Sequence, residues 1–252
     1  MLTKQAICRS LVLLSAMTLL PSYATADVYE LRTYTTNEGK LDDLHARFRD
    51  HTVKLFNKHG MESVGYWVPT DEAKSKNTLI YLLRHKSRDA AKASWQGFIA
   101  DPAWKKAFAA SRVDGPLVKA VASVYLNETD YSPKFETSNS DEAVYELRIY
   151  KTNEGKLPNL DARFRDHTIG IFNRYGLQSV GYWHPADEPD SQDTLVYILR
   201  HKSPDAAATA WKAFGGDEEW KRVAKESQKN GKFLRERPTS IYMKPTDYSA
   251  IR

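Results

Sequence analysis

Val28-Tyr29-Glu30-Leu31-Arg32-Thr33-Tyr34-Thr35-Thr36-Asn37-Glu38-Gly39-Lys40-Leu41 returns, little altered, as Val144-Tyr145-Glu146-Leu147-Arg148-Ile149-Tyr150-Lys151-Thr152-Asn153-Glu154-Gly155-Lys156-Leu157. Positions 28 to 105 align without a gap onto 144 to 221 at a constant offset of 116, with 48 of 78 identical. A repeat of that length makes the 252-residue chain a tandem duplication of one domain. The divisions read from it are a leader at 1–26, a first domain at 27–132, a linker at 133–141 and a second domain at 142–252.

Within each copy the stretch alternates. Tyr29 and Leu31 point to one side, Glu30, Arg32 and Tyr34 to the other, as in a strand. From Lys40 the period lengthens. Leu41, Leu44, Phe48, His51 and Leu55 recur at steps of 3 and 4, the stripe of an amphipathic helix, and Leu157, Leu160, Phe164, His167 and Ile171 repeat it. Gly60 and Gly176 end that helix. Residues 61–68 and 78–85 read as a hairpin of two strands. Ser87 and Ser203 then stand as N-caps of a second helix carrying Trp95 and Phe98, or Trp211 and Phe214. Residues 117–126 and 239–244 supply a last strand. The order β-α-β-β-α-β is ferredoxin-like, an α+β fold with two helices on one face of a four-stranded antiparallel sheet. Bulky residues on both faces of the strands require that the other face be covered too, and the twin sheet is the available cover. The expected architecture is therefore two ferredoxin-like units packed sheet to sheet, an intrachain pseudo-dimeric α/β barrel.

Apolar residues make up 41% and charged residues 27%, the balance of a globular protein. Lys4 and Arg9, an apolar run over 11–20 and Ala24-Thr25-Ala26 read as a secretory signal peptide, so the chain is expected to be exported, to a periplasm or beyond. That run is too short to span a bilayer in the mature chain. Cleavage after Ala26 would remove the single cysteine, Cys8, and leave a net charge of +3. Disulfides, thiolate nucleophiles and cysteine-ligated zinc are thereby excluded from the mature chain.

The same residues, taken in order, resemble the NIPSNAP domain. Tyr29-Glu30-Leu31-Arg32-x-Tyr34, Gly39-Lys40-Leu41, Phe48-Arg49-x-His51-Thr52, Gly60, Val64-Gly65-Tyr66-Trp67 and Asp101-Pro102-x-Trp104 carry the resemblance, and the second copy repeats them. It departs only at Asp217-Glu218-Glu219-Trp220, which lacks the proline. The resemblance implies the dimeric α/β barrel and a likeness in fold to antibiotic-biosynthesis monooxygenases. In such proteins the pocket lies between sheet and helices or inside the barrel. It implies no general catalytic activity.

Candidate site residues follow from chemistry and position. His51 and His167, on the apolar stripe, are candidates for a general base or ligand anchor, or for structural histidines bonded to a strand. Glu30 with Arg32, and Glu146 with Arg148, share a face two residues apart. They either grip a ligand's anionic or carbonyl group or form a buried structural salt bridge between the two halves. Tyr66, Trp67, Tyr81, Tyr182, Trp183 and Tyr197 line both faces of the sheets, and those turned to the opposing sheet are candidates to wall a flat apolar ligand. Arg84 and Arg200 read as rim residues. No metal-ligand spacing, glycine-rich phosphate loop or nucleophile elbow occurs, so no metal or cofactor is called for. Lysines and arginines interspersed with acids argue against a nucleic-acid surface. Two functions stand side by side. One is a binding protein taking a small organic molecule in the barrel interior, with further self-association left open; the other is a cofactor-independent oxygenase or isomerase with a histidine base. Val68 against His184, and His59 against Tyr175, are expected to make the two pockets unequal.

Overall fold

The computed structural model describes residues 27–134 and 143–252; the signal-peptide reading and most of the linker lie outside them. The first repeat runs β1 (Val28–Thr36), α1 (Leu41–Arg47), a π-helical turn (Phe48–Thr52), α2 (Val53–Lys58), β2 (Glu62–Pro69), β3 (Thr78–His85), α3 (Arg88–Ala100), α4 (Pro102–Ala110) and β4 (Val118–Glu128). The second runs β5 (Val144–Lys151), α5 (Leu157–Arg163), a matching π-helical turn (Phe164–Thr168), α6 (Ile169–Arg174), β6 (Gln178–Pro185), β7 (Thr194–His201), α7 (Pro204–Gly216), α8 (Glu218–Ser227) and β8 (Thr239–Pro245). Ser87 and Ser203 accept the backbone N–H of Ala90 and Ala206, as N-caps do. Gly60 and Gly176 take the left-handed conformation that ends the first helix of each repeat.

The eight strands close into one antiparallel barrel, in the order β1-β3-β2-β8-β5-β7-β6-β4. Each repeat contributes the ferredoxin-like order, with its first strand between its third and fourth. Two seams join the halves. Trp67, Val68 and Pro69 pair with Pro245, Lys244 and Met243, while Leu126, Asn127 and Glu128 pair with Pro185, His184 and Trp183. Past each seam the chain crosses to the other repeat. Ser249 Oγ accepts Tyr66 N–H at 2.9 Å, and Ser132 Oγ accepts Tyr182 N–H at 3.0 Å. Tyr248 thus packs 5.3 Å from Tyr66, and Tyr131 5.5 Å from Tyr182. Closure removes the free edges that two separate sheets would expose along these seams.

Alternation sorts the strand residues as expected, and the face on which each set lands decides the location of any pocket. Tyr29, Leu31, Trp67, Tyr145, Leu147 and Trp183 point inward and form a single cluster with Leu82 and Ile198. Trp67 and Trp183 are 0% and 2% exposed. The interior between the sheets, expected to be a ligand chamber, is instead packed with side chains. The reason is size: two tryptophans and two tyrosines meet across a small barrel, with Trp67 5.5 Å from Tyr145 and Trp183 5.4 Å from Tyr29. Tyr66, Tyr81, Tyr182 and Tyr197 point the other way, into the cores beneath the helices.

Trp67 can lie flat only because Gly65 sits two residues before it. A Cβ at Gly65 would stand 2.3 Å from the Trp67 ring, and one at Gly181 would stand 2.3 Å from Trp183. Both glycines follow a break in strand register that leaves Val64, or Val180, unpaired. Gly65→Ala is accordingly expected to displace a fully buried indole. Urea titration should register a loss of about 1–3 kcal/mol of unfolding free energy, the usual cost of overpacking. An unchanged midpoint would show that the ring is free to move.

Candidate functional site

Glu30 leaves β1 on the side facing the helices and is 1% exposed. Four donors converge on its carboxylate. Oε1 accepts Arg32 Nη1 at 2.5 Å and Ser123 Oγ at 2.7 Å, while Oε2 accepts Trp95 Nε1 at 2.7 Å and lies 3.0 Å from His85 Nε2. Glu146 repeats the arrangement with Arg148, Ser240, Trp211 and His201. Burial alone would raise the pKa of each glutamate. The bonds from the histidine, arginine, serine and tryptophan outweigh it and hold both at about 2. A carboxylate with all its acceptor positions taken has none left for a ligand, so this network orients its neighbours. Of the alternatives open for Glu30 with Arg32 and Glu146 with Arg148, the geometry matches a buried ion pair, but not one between the two halves: each pair lies within one repeat, under its helices rather than in the barrel interior.

Arg32 carries the orientation onward. Its guanidinium lies 4.4 Å from the Trp95 ring, and Nη2 reaches Tyr34 Oη at 3.4 Å. Tyr34 meets Tyr81 edge to face at 5.3 Å. The Tyr81 hydroxyl is buried beside the Tyr34 phenol, and burial, reinforced by that phenol, pushes its pKa well above the ordinary tyrosine value.

Tyr34 opens onto a cavity of about 160 Å³ between the sheet and the helices of the first repeat. Phe48, Phe56, Phe98, Trp104 and Phe108 supply its aromatic walls, Val118 and Val121 of β4 its other side, and Arg47 and Thr52 its polar groups. The π-helical turn builds part of that wall. Val53 N–H bonds back five residues to the Phe48 carbonyl, and Thr52 Oγ1 bonds to the Arg47 carbonyl at 3.1 Å. The extra residue in the turn brings Thr52 inward, where it is 1% exposed, in the place that a regular helix would give His51.

His51 and His167 are therefore exposed to solvent, contrary to their expected place on the buried stripe. Each lines a shallow outer groove, beside Asp50 and Arg47 or Asp166 and Arg163. Neither joins Glu30, Glu146 or the cavity. Tyr66 and Tyr182 lie in the helix-side cores, their hydroxyls tied to Ser63 and Ser179 at 2.6 Å, and Tyr197 repeats the position of Tyr81, beside the Tyr150 phenol. Trp67 and Trp183 lie in the barrel interior. Arg84 pairs with Glu62 at 2.6 Å toward the rim, and Arg200 with Gln178 at 3.0 Å.

Arg47 is the residue that periodicity missed. It stands at the border of the helix stripe, three residues after Leu44, yet is only 5% exposed. Its guanidinium lies 5.3 and 5.4 Å from the ring centres of Trp104 and Phe108, which adjoin each other, and Nη1 donates to Ser111 Oγ at 3.2 Å. Arg163 has matching partners in Trp220 and Ser227, but its second ring is Phe233, at 4.8 Å. Phe233 occupies the position of Leu117, Ala224 that of Phe108, and Pro238 that of Val121. The two pockets are thus unequal, though through these residues rather than those expected. His184 bonds Asp161, which also accepts the Tyr131 hydroxyl, and His59 bonds Asp101; none of these five lines the cavity.

No group of three or more histidines, cysteines or acids able to hold a metal occurs among the described residues. No helix among them is long and apolar enough to cross a membrane.

Comparison with known proteins agrees with the architecture. The putative monooxygenase of Lactobacillus acidophilus NCFM superposes with a TM-score of 0.58 at 11% identity, over 90% of this chain and 96% of that one. An anthrone oxidase-like protein superposes with a TM-score of 0.54 at 12% identity, over 89% and 93%. At such identities the likeness is one of fold. A NIPSNAP family protein of unknown function from Agrobacterium tumefaciens is 22% identical over 44% of this chain and 96% of its own, with a TM-score of 0.38. No curated protein matches the sequence. The NIPSNAP family model matches twice, over residues 29–133 and 145–250. Two complete matches in one closed barrel make the chain a member of the NIPSNAP family, with two of its domains in tandem.

Proposed function

We propose that the protein binds a small, flat, largely apolar molecule in the first repeat, in the cavity between sheet and helices. The observation that carries this reading is the cavity itself: about 160 Å³ walled by five aromatic rings, with Tyr34 and Arg47 as its polar fixtures. An apolar cavity of about 150 Å³ is enough to take up benzene, so one aromatic ring with a small substituent is the right scale. The test uses toluene as a neutral probe, followed by NMR shifts of the cavity side chains. Binding is expected in the wild type, and Leu117→Phe, which imports the second repeat's residue, is expected to weaken it about tenfold or more by filling space. Equal binding to both proteins would place the site elsewhere.

A cofactor-independent oxygenase is the second reading. It is favoured by the fold shared with a putative monooxygenase and an anthrone oxidase-like protein, and by a phenol and a guanidinium lining one aromatic cavity. On this reading His51 and His167 are not the base, since both face solvent. Oxygen uptake with a hydroxyaromatic compound separates an oxygenase from a binder. Export is part of the proposal as well, and the N-terminal sequence of the mature protein, expected to begin at Asp27, tests it.

A further inference from the structure

We propose, building on the ligand-binding reading above, that the ligand is an anion: a small aromatic carboxylate seated against Arg47, one per chain. Arg47 is a buried cation that no carboxylate pairs, although Asp43, Asp50 and Asp114 line the outer groove it borders. Among the described residues it forms no ion pair, its Nε has no acceptor, and its one hydrogen-bonded partner is the neutral Ser111. A second cation, Arg112, stands close by, its guanidinium 4.7 Å from the Phe108 ring. Burial outweighs the neighbouring Tyr34 and Tyr81 phenols, which favour the cation, and with Arg112 adding to it disfavours the charged form of Arg47. Arg32 shows the contrast within the same repeat, since a deeply buried arginine there is matched by Glu30.

A guanidinium that has been desolvated and left unmatched strongly favours a ligand carrying the missing charge. Its position on the cavity wall places that charge next to the aromatic body of the ligand. The size of the cavity limits the body to about one ring.

The second repeat supplies an internal control. Arg163 also lacks a carboxylate partner, but Phe233 covers it, Phe108 is replaced by Ala224, and Arg112 by Gln228. The exposed large apolar side chains among the described residues, Ile99, Phe108, Val113, Val121 and Val124, all belong to the first repeat. Phe108 and Val121 lie at the cavity itself. An apolar rim beside a cationic wall suits an amphiphilic anion, and only this half of the duplication retains it.

Benzoate and its neutral isostere benzamide decide the matter, titrated into the full mature chain by calorimetry. Benzoate is expected to bind about tenfold or more tightly than benzamide. Arg47→Met is expected to abolish that preference, and Arg163→Met to leave both ligands unaffected. Equal affinity for the two probes in the wild type overturns the anion, and that comparison holds whether or not Arg47→Met folds. A preference that survives in a folded Arg47→Met, or disappears in Arg163→Met, overturns the assignment to the first repeat. Binding of toluene without benzoate defeats the charge inference and leaves the cavity reading standing; failure of all three probes defeats both.

Discussion

Replacing Glu30 with glutamine is expected to lower the unfolding free energy by about 3–5 kcal/mol, the cost of leaving one partner of a buried ion pair unmatched. The substitution preserves shape, so the loss comes from charge and hydrogen-bond polarity. All four groups on the Glu30 carboxylate donate: Arg32 and Ser123 on Oε1, His85 and Trp95 on Oε2. A glutamine must turn its amide NH2 toward one of those sides. On the first it meets Arg32, which cannot accept; on the second it meets the indole N–H of Trp95, which cannot accept either. Every orientation therefore strands a buried donor, and Arg32 loses its counter-ion whichever is chosen. Glu146→Gln should cost about as much, since Arg148, Ser240, His201 and Trp211 stand in the same places. Glu62→Gln serves as the control. Glu62 meets Arg84 at 2.6 Å with its side chain 49% exposed, where such a pair contributes about 0–1 kcal/mol. Urea titrations of the three variants measure the ranking directly. A loss under about 1 kcal/mol at Glu30 would mean that the network is solvated and orients nothing.

The duplication, the strand and helix order and the barrel were all legible, because a constant offset and two kinds of periodicity are properties of the sequence alone. Even the split between Tyr66 and Trp67 followed from alternation, one under the helices and one between the sheets. What alternation cannot supply is which face remains hollow. Tyr29, Leu31 and Trp67 are as bulky as Tyr34, Tyr66 and Tyr81, so both sides read as core, and only the closed geometry reveals that the barrel centre is full. His51 was misplaced for a different reason. A stripe at steps of 3 and 4 assumes a regular helix, and one extra residue in the turn Phe48–Thr52 rotates His51 out and Thr52 in. Arg47 and Phe233 were invisible because neither breaks a pattern. An arginine at a stripe border reads as surface, and a phenylalanine in place of Leu117 reads as conservative until the space it fills is seen.

Acid should weaken the fold through the same two glutamates, and the sign follows from their depressed pKa values. Each falls from an ordinary 4.5 to about 2 on folding. Between those values the unfolded chain binds a proton that the folded chain refuses, so stability is fully present above about pH 5 and is lost as the pH falls toward 2. At 1.36 kcal/mol per unit, each site accounts for about 3 kcal/mol and the two together for about 7 kcal/mol. Asp101, held low by Lys58, and Asp217, held low by the Trp220 backbone N–H, also steepen acid unfolding. The diagnostic quantity is consequently a difference. Unfolding free energy measured in urea at pH 7, 5, 4 and 3 should fall markedly less in Glu30→Gln and in Glu146→Gln than in the wild type, because each variant has already lost one titrating site. Salt separates the contributions further: surface carboxylates such as Asp247, paired with Arg49, are screened, whereas the buried pair, within 1% of full burial, is not. Parallel pH profiles for variants and wild type would assign the acid sensitivity to the surface and remove the buried carboxylates from the account of what holds the sheet against its helices.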